Sequence, residues 1–312
     1  MLLSKLKGLL KSTITINYPD KENLYDRIDK LKISNGKVLN AINQQYKLTQ
    51  ILDDIKSAEF QVFSQWGDDG IIQFLVNYLD IENKTFVEFG VESYTECNTR
   101  FLLMNNNWRG LIIDGSLENI NKVKRENIYW QFDLTALHSF VTAENINSIL
   151  YQERFNGEVG LFHIDIDGND YWIWNALEDV SPVIMIVEYN SVFGNDKPWT
   201  IPYNASFVRS KAHHSNLYYG SSLLSICELA QKKGYGFVGC NSNGNNAYFV
   251  RNDKLKDLKV KSVKEGYMRS NFSESRDIYA SLTFLRGADR LKAIEGMPVF
   301  NTETSQIEKI TA

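Results

Sequence analysis

Two short apolar segments of the sequence each end in a carboxylate and a glycine. The first, Thr85–Gly90, contains Glu88, and the second, Arg109–Ser116, contains Asp114. Their length, their β-branched and aromatic residues and their glycine stops predict two buried strands, and the segment Glu96–Asn106 between them is compatible with a helix. Such a strand–helix–strand unit places both carboxylates at the carboxyl ends of adjacent strands, where open α/β sheets bind their ligands.

The loop after the first strand distinguishes between two nucleoside cofactors. A dinucleotide site needs three glycines in the pattern G-x-G-x-x-G, whereas Gly90 is followed by Val-Glu-Ser-Tyr-Thr. Glu92 would also place a negative charge against a pyrophosphate. S-adenosylmethionine carries no phosphate, and Glu88 or Glu92 would favour its sulfonium and ammonium groups. With Asp114 on the ribose hydroxyls, these carboxylates fit S-adenosylmethionine better than a nicotinamide cofactor. The alternative is an ordinary βαβ unit in which the acids are merely solvated.

The motifs VEFG and IIDGS resemble the first two cofactor motifs of class I S-adenosylmethionine-dependent methyltransferases. The resemblance implies a doubly wound α/β fold with a seven-stranded, mostly parallel sheet, in which Glu88, Gly90 and Asp114 bind the cofactor. The stretch SQWGD is similar to one that precedes the first motif in FkbM-type methyltransferases. It implies that Gln65 and Asp68 line the cofactor pocket, and acids that favour a helix dipole are the alternative interpretation.

Three further strands are predicted after this unit. Asn127–Phe132 is predicted to be the third strand, and Gly160–Asp165 and Val183–Val187 the fourth and fifth. Asp133 follows the predicted third strand. The resemblance implies that an acid at this point faces the adenine amine of the cofactor, whereas a helix N-cap is the alternative role.

Acidic and amide side chains follow the fourth and fifth strands, at Asp165, Asp167, Glu188 and Asn190. Oxygen ligands without cysteine suit a hard cation such as Mg²⁺, Ca²⁺ or Mn²⁺. The arrangement resembles the metal-dependent O-methyltransferases of the catechol and macrocin types. This resemblance implies that Asp167, Glu188 and Asn190 bind a metal. Asp165 is a candidate catalytic base. FkbM-type relatives carry a similar fourth-strand end and need no metal, which leaves both alternatives open.

A long insertion, Ser191–Gly220, is rich in aromatic and polar residues. A segment of this length without clear helix or strand patterns is typical of a lid or binding loop. Its aromatic rings could stack on a sugar or an aromatic acceptor. His213 or His214 could be the general base that takes the acceptor proton, and a surface histidine pair is the alternative.

The chain is predicted to have three parts: a helical prefix (1–60), a methyltransferase domain (61–253) and an accessory C-terminal segment (254–312). The prefix pattern predicts two amphipathic helices broken near Ser34-Asn35-Gly36, which pack on the core or on a second subunit. An antiparallel pair, Tyr235–Cys240 and Asn246–Arg251, closes the sheet. The arginines of the C-terminal segment are expected to form surface salt bridges, with contacts to the acceptor as the alternative.

The composition excludes several classes of protein. The 312 residues have a net charge of −4 and no long basic run, which argues against a nucleic-acid partner. Three scattered cysteines indicate reduced thiols in a cytoplasmic protein. Met1–Ser12 is basic and amphipathic, so it could lie on an anionic membrane surface, with a packing helix as the alternative.

These patterns together predict an S-adenosylmethionine-dependent O-methyltransferase. The resemblance and the aromatic insertion suggest a sugar hydroxyl as acceptor, in a capsule, lipopolysaccharide or secondary-metabolite glycan. The alternatives are an NAD-dependent Rossmann enzyme and a non-catalytic interaction module. The helical prefix leaves homo-oligomer formation open.

Overall fold

The computed structural model of the chain describes residues 21–312, so the predicted amphipathic segment Met1–Ser12 lies outside the described residues. Its strands are β1 (Thr85–Phe89), β2 (Arg109–Asp114), β3 (Leu134–His138), β4 (Gly157–Ile164), β5 (Val180–Glu188), β6 (Trp199–Thr200), β7 (Tyr235–Cys240), β8 (Asn246–Arg251), β9 (Pro298–Asn301) and β10 (Gln306–Lys309). Seven strands form one sheet in the order β3-β2-β1-β4-β5-β8-β7. Strands β1 to β5 pair in parallel, and β8 runs antiparallel to both neighbours. This topology confirms the predicted doubly wound Rossmann-like fold of class I methyltransferases.

The α-helices are α1 (Lys21–Tyr46), α2 (Leu48–Asp53), α3 (Asp68–Tyr78), α4 (Arg100–Asn106), α5 (Leu117–Arg125), α6 (Asn127–Gln131), α7 (Ile146–Gln152), α8 (Asp170–Ala176), α9 (Arg209–Ala212), α10 (Leu223–Lys232), α11 (Val263–Gly266) and α12 (Ala288–Lys292). Short 3₁₀ helices span Ile55–Ala58, Ser191–Phe193 and Asn252–Lys254. No helix within residues 21–312 is long and apolar enough to cross a membrane.

Two apolar cores cover the two faces of the main sheet. Phe86 of β1 packs in one core, and its neighbours Val87 and Phe89 pack in the other. Strands that are covered on both faces read as continuous apolar runs, which is why the strand positions were recognisable from the sequence. The strand order reverses between β1 and β4, and this reversal opens a crevice at the carboxyl ends of the strands.

The predicted third strand, Asn127–Phe132, is wrong: this segment forms helix α6, and β3 begins only at Leu134. Only Ile128 of α6 is buried, and Trp130 is 73% exposed. One buried residue per turn suits a helix that lies on the sheet. The strand itself alternates between more and less buried residues over Leu134–His138, a short pattern that the aromatic residues before it obscured.

The predicted break near Ser34-Asn35-Gly36 is also wrong, because α1 continues through it to Tyr46. A Cβ atom at Gly36 would lie 2.7 Å from Val62 Cγ2 and 2.8 Å from Phe101 Cζ. The glycine therefore allows the helix to approach the body of the molecule closely. Glycine in a helix costs about 1 kcal/mol relative to alanine, and this close packing offsets that cost.

The insertion and the C-terminal segment share a second, three-stranded sheet of order β10-β9-β6. Trp199 of β6 pairs with Asn301 of β9 in antiparallel register. A separate apolar core lies beneath this sheet, and it includes Leu217 and Tyr218 from the insertion together with Val299 and further C-terminal residues. The insertion is therefore held in place by the end of the chain.

Gly70→Ala in α3 is expected to destabilise the protein, although the same change in an exposed helix stabilises by about 1 kcal/mol. The added Cβ would lie 2.1 Å from the Ala58 carbonyl oxygen and 2.4 Å from the Phe60 nitrogen, and neither backbone can yield easily. We expect a loss of about 1–3 kcal/mol, the range for overpacking, in urea unfolding. Gly115→Ala is the control, since its Cβ would meet only the Phe140 ring at 3.4 Å. Equal stability of both variants would contradict this interpretation.

Candidate active site

Two adjoining cavities open at the carboxyl edge of the main sheet. The first cavity has a volume of about 470 Å³ and lies beside Asp114 and Phe140. The second cavity, of about 530 Å³, lies beside Glu88 and Glu188. Both volumes fall within the range of about 300–1,000 Å³ that is typical of small-molecule sites. Residues that line both cavities are Gly90, Glu92, Asp165, Asp167, Arg209 and Glu274.

Gly90 allows the ends of β1 and β4 to meet at the boundary of the cavities. Its φ is +72°, and a Cβ atom there would lie 1.8 Å from the Asp165 carbonyl oxygen. Two residues in the following loop also have positive φ, Glu92 at 46° and Tyr94 at 58°. The buried Tyr94 hydroxyl lies 2.9 Å from Thr99 Oγ1. The loop thus keeps a tight turn without the missing glycines of the fingerprint.

Asp114, at the end of β2, holds both this loop and the start of α5. Its Oδ2 accepts a hydrogen bond from the Glu92 N–H at 2.8 Å, and its Oδ1 accepts one from the Ser116 N–H at 2.7 Å. Each carboxylate oxygen can accept more than one hydrogen bond. Asp114 lines the first cavity together with Gly90, so the structure brings these two predicted cofactor residues together.

Glu88 is buried and its oxygens are already engaged. They accept hydrogen bonds from the N–H groups of Asn98 (2.9 Å) and Thr99 (3.0 Å), and Oε1 lies 3.0 Å from His163 Nδ1. Burial alone would raise the pKa of Glu88, but the hydrogen bond and charge of His163 lower it below its ordinary value. Burial opposes protonation of His163, yet Glu88 raises the pKa of this imidazole. This ion pair positions the loop that lines the second cavity and does not offer a free carboxylate.

Gln65 lines the second cavity, on the opposite side of the boundary from Asp114. Beside it, Asp68 accepts hydrogen bonds from the amides of Asn241 (3.1 Å) and Asn246 (3.0 Å). This network connects the start of α3 to the turn between β7 and β8. Asn246 Oδ1 and the Trp66 indole N–H are both buried, and neither has a hydrogen-bond partner within the described chain.

Three carboxylates converge at the boundary between the cavities. Asp165, Asp167 and Glu188 can each bring one oxygen within 4.8 Å of the others. Glu188 is 7% exposed, and its Oε2 has no hydrogen-bond partner among the residues that the structure describes. Burial, reinforced by the charges of Asp165 and Asp167, raises the pKa of Glu188 well above its ordinary value. These three residues are the acid cluster of the site.

Asp165 lies at the centre of the acid cluster. Burial is the main cause that raises its pKa to about 7, and the charges of Asp167 and Asp170 act in the same direction against that of His163. Arg209 pairs with Asp167 and lies over the Tyr219 ring, with Cζ 3.7 Å from the ring centroid. Arg209 thus supplies a fixed cation at one side of the cluster.

Asn190 does not belong to this cluster, which corrects its predicted role as a metal ligand. Its side-chain amide donates hydrogen bonds to the carbonyl oxygens of Leu217 (2.9 Å) and Tyr219 (3.0 Å). Its Oδ1 accepts a hydrogen bond from the Val192 N–H at 3.0 Å. All of these hydrogen bonds hold the insertion. The third oxygen ligand beside Asp167 and Glu188 is therefore offered by Asp165 and not by Asn190.

His213 and His214 line neither cavity, so the structure gives no support to the predicted role of one of them as general base. Their rings pack on each other with centroids 4.1 Å apart, and His213 Nδ1 lies 2.8 Å from Ser215 Oγ. A base must reach the proton that it abstracts. Burial and the neighbouring His214 also lower the pKa of His213.

Asp133 is likewise away from both cavities, because it precedes β3 rather than following it. Its carbonyl accepts a hydrogen bond from Gly110 at the start of β2, and its side chain is 73% exposed near Arg109. Ser139 and Phe140 follow β3 and line the first cavity. Neither residue could be located from the sequence pattern, which placed the third strand one element too early.

No protein-family model matches the sequence, and no curated protein matches it. Several solved structures are similar to it at low sequence identity. An S-adenosylmethionine-dependent methyltransferase from Clostridium acetobutylicum is 13% identical, with 66% of this chain and 98% of the other covered and a TM-score of 0.37. An O-methyltransferase from Bacillus cereus, in complex with S-adenosylhomocysteine, is 11% identical, with 71% and 91% covered and a TM-score of 0.37. The N-terminal domain of EvdMO1, with S-adenosylhomocysteine bound, is 10% identical, with 54% and 72% covered and a TM-score of 0.36.

Proposed function

We propose that this chain is a methyltransferase that uses S-adenosylmethionine to methylate a hydroxyl oxygen of a sugar. The observation that carries the proposal is the position of Asp165. This carboxylate lies where the first cavity, beside Asp114, meets the second cavity, beside Glu188. A group at that boundary can face both a cofactor and an acceptor.

The residues of the first cavity fit S-adenosylmethionine. Asp114, at the end of β2, can accept hydrogen bonds from ribose hydroxyls, and Ser139 and Phe140 lie where the adenine would follow. Glu92 and the acid cluster suit a sulfonium and an ammonium group. A pyrophosphate would face these carboxylates with Arg209 as the one cationic side chain among the residues lining this cavity.

For this reaction the protein needs mainly to orient the cofactor and the acceptor and to remove the proton of the acceptor hydroxyl. When bound, S-adenosylmethionine supplies an activated methyl group. Asp165 accepts the proton of the acceptor hydroxyl, because its raised pKa makes it a stronger base than an ordinary aspartate. Gly90 lets the ends of β1 and β4 approach closely where the two cavities adjoin, because a Cβ atom there would meet the Asp165 carbonyl oxygen.

The second cavity favours a neutral acceptor with several hydroxyl groups. Glu188 Oε2, Asn246 Oδ1 and Trp66 Nε1 each need a hydrogen-bond partner. A hydroxyl can both donate and accept hydrogen bonds, so a polyol suits a cavity that is lined by the carboxylate of Glu188, the amide of Asn246 and the indole of Trp66. Phe272 also lines this cavity and could pack against the apolar face of a sugar ring. A glycan of a capsule, a lipopolysaccharide or a secondary metabolite has this chemistry.

The acid cluster also fits a divalent cation. Asp165, Asp167 and Glu188 would hold it through oxygen ligands, as Mg²⁺ prefers. A bound cation would lower the pKa of an acceptor hydroxyl. The pairing of Arg209 with Asp167 opposes this role, since it already neutralises one ligand. Loss of turnover in EDTA that Mg²⁺ restores would assign a cation to the cluster.

We expect S-adenosylhomocysteine to bind with a micromolar Kd in isothermal titration calorimetry, both with Mg²⁺ and with EDTA. The reason is that Asp114 and Gly90 lie in the first cavity whether or not the acid cluster holds a cation. NAD⁺ is the matched control, because its pyrophosphate would face Glu92. Binding of NAD⁺ but not of S-adenosylhomocysteine would overturn the proposal in favour of a dehydrogenase-type enzyme.

A further inference from the structure

Helix α1 exposes a row of apolar side chains to solvent. They are Leu24 (48% exposed), Ile28 (38%), Leu31 (71%), Val38 (58%) and Ile42 (40%). These residues, together with the exposed Asn35 at the centre of the row, are named the α1 seam. A continuous apolar row of this kind is typical of an interaction surface.

Other residues of α1, outside the seam, fix the helix to the body of the molecule. Ile33 and Leu39 pack on the cluster of Phe60, Val62, Phe63 and Phe101. Asn43 is buried and donates a hydrogen bond to the Ala58 carbonyl at 2.7 Å, and Asp29 pairs with Arg100 at 3.4 Å. The seam therefore remains exposed although α1 is packed on the rest of the protein.

The spacing along the seam is that of a coiled coil. Positions 24, 28, 31, 35, 38 and 42 alternate steps of four and three residues. In heptad notation Ile28, Asn35 and Ile42 occupy a positions, whereas Leu24, Leu31 and Val38 occupy d positions. Isoleucine at a with leucine at d favours a two-stranded parallel coiled coil.

We propose that the α1 seam pairs with the α1 seam of a second copy of this chain in a parallel, in-register coiled coil. Asn35 identifies the partner. A buried amide needs a polar partner, and only an identical helix in parallel register places another Asn35 opposite it. In the antiparallel arrangement that pairs the a and d layers, Asn35 would face Leu31.

The size of the seam predicts a reversible dimer. A helix of 26 residues is about 39 Å long and about 11 Å wide, so each copy contributes a strip of about 430 Å². Two such strips fall below the roughly 1,200 Å² of a stable interface. Arg27 would also face Lys32 of the partner subunit at flanking positions, so the association should strengthen with added salt.

The width of the seam argues against a membrane surface as its occupant. A helix that lies in a bilayer interface presents a wide apolar face, whereas this row follows only the a and d positions, which form a narrow stripe. Asn35 at its centre would face acyl chains without a partner. Membrane binding is therefore an outcome that would overturn the proposal.

Sedimentation equilibrium of the full chain over a range of micromolar concentrations tests the seam. The wild type is expected to dimerise reversibly, and Leu31→Lys is expected to weaken the dimer at least tenfold. Ile278→Lys is the matched control, because Ile278 is also 71% exposed but lies outside α1. Leu31 is exposed in the monomer, so equal thermal melting would show that both variants fold.

Disulfide formation tests the register. Gln45→Cys lies at the next d position, and a parallel, in-register pair would bring the two thiols together for oxidation. Arg27→Cys, outside the a and d layers, should cross-link far less. A wild type that stays monomeric, an unaffected Leu31→Lys dimer or equal cross-linking of the two cysteine variants would each overturn the proposal. A monomer that co-sediments with vesicles of phosphatidylglycerol and phosphatidylcholine would assign the seam to a membrane instead.

Discussion

Asp165→Asn is expected to lower the rate of methyl transfer by about 10²- to 10⁴-fold, the contribution of a positioned general base. Asparagine has nearly the same shape but cannot accept the acceptor proton. The measurement is transfer of a labelled methyl group from S-adenosylmethionine to the most reactive member of a panel of methyl glycosides. The affinity for S-adenosylhomocysteine should change little, because Gly90 and Asp114 are the residues of the first cavity that are expected to bind it.

The pH dependence follows from the raised pKa of Asp165, which is about 7 in the folded protein against an ordinary value of 3.8. As a base, Asp165 must be ionised, so turnover should rise with pH through about 7 and then level off. Stability should move in the opposite direction. The folded state binds this proton more tightly than the unfolded state, so Asp165 contributes a loss of stability as pH rises from about 4 to about 7.

These opposite trends separate catalysis from misfolding. At pH 8, Asp165→Asn should be almost inactive and yet at least as stable as the wild type in thermal unfolding, because it removes a negative charge that partial burial and the neighbouring carboxylates disfavour. Asp133→Asn is the control, since Asp133 is exposed at the opposite edge of the sheet. Wild-type turnover in Asp165→Asn would show that another group takes the proton, and Glu188 would then be the residue to replace.

The site residues that could be predicted from the sequence are those that lie at the carboxyl ends of recognisable strands. β1 and β2 are short apolar runs buried on both faces, so Gly90 and Asp114 fell at the sheet edge once those strands were recognised. The same logic located Asp165 and Glu188, which the structure places in one cluster. In each case a local pattern determined the position, and the sheet brought the residues together.

The residues that could not be predicted depend on contacts between distant segments. Asn190 follows β5 as expected, but hydrogen bonds from its amide to Leu217 and Tyr219 turn it away from the acid cluster. Arg209 comes from the insertion, and it is held at the site by Asp167 and by a hydrogen bond from its Nε to the Asn216 carbonyl oxygen. Sequence patterns at helix or strand spacing carry no information about such pairings.

Gly36 shows that a local rule can also be overridden by packing. Serine, asparagine and glycine in succession favour a helix break. Here α1 continues because Gly36 lets it approach Val62 and Phe101, and Ser34 Oγ donates a hydrogen bond to the Lys30 carbonyl within the helix at 2.8 Å. The same continuity makes the α1 seam one uninterrupted row, which two separate helices would not have formed.

Asp114→Ala is expected to weaken the binding of S-adenosylhomocysteine by about 1.5–3 kcal/mol, the range for hydrogen bonds to a charged group. That loss corresponds to about a 10- to 150-fold increase in Kd. The physical reason is that Asp114 lines the first cavity, and its Oδ2, which accepts one hydrogen bond from the Glu92 N–H, can accept another from a ribose hydroxyl. Isothermal titration calorimetry would measure the change directly.

Two further variants test whether the loss of affinity comes from the Asp114 carboxylate itself. Asp114 also accepts hydrogen bonds from the Glu92 and Ser116 N–H groups, so its removal could act through the loop alone. Asn119→Ala removes only a 3.3 Å contact to Asp114 and keeps the carboxylate, so its Kd should stay near that of the wild type. Asp133→Ala should also bind normally, because Asp133 lies at the far edge of the sheet. Unchanged affinity in a folded Asp114→Ala variant would remove Asp114 from the cofactor site. Equal losses in Asp114→Ala and Asn119→Ala would mean that the affinity depends on how the Asn119 amide orients the carboxylate, and not on the presence of the carboxylate alone.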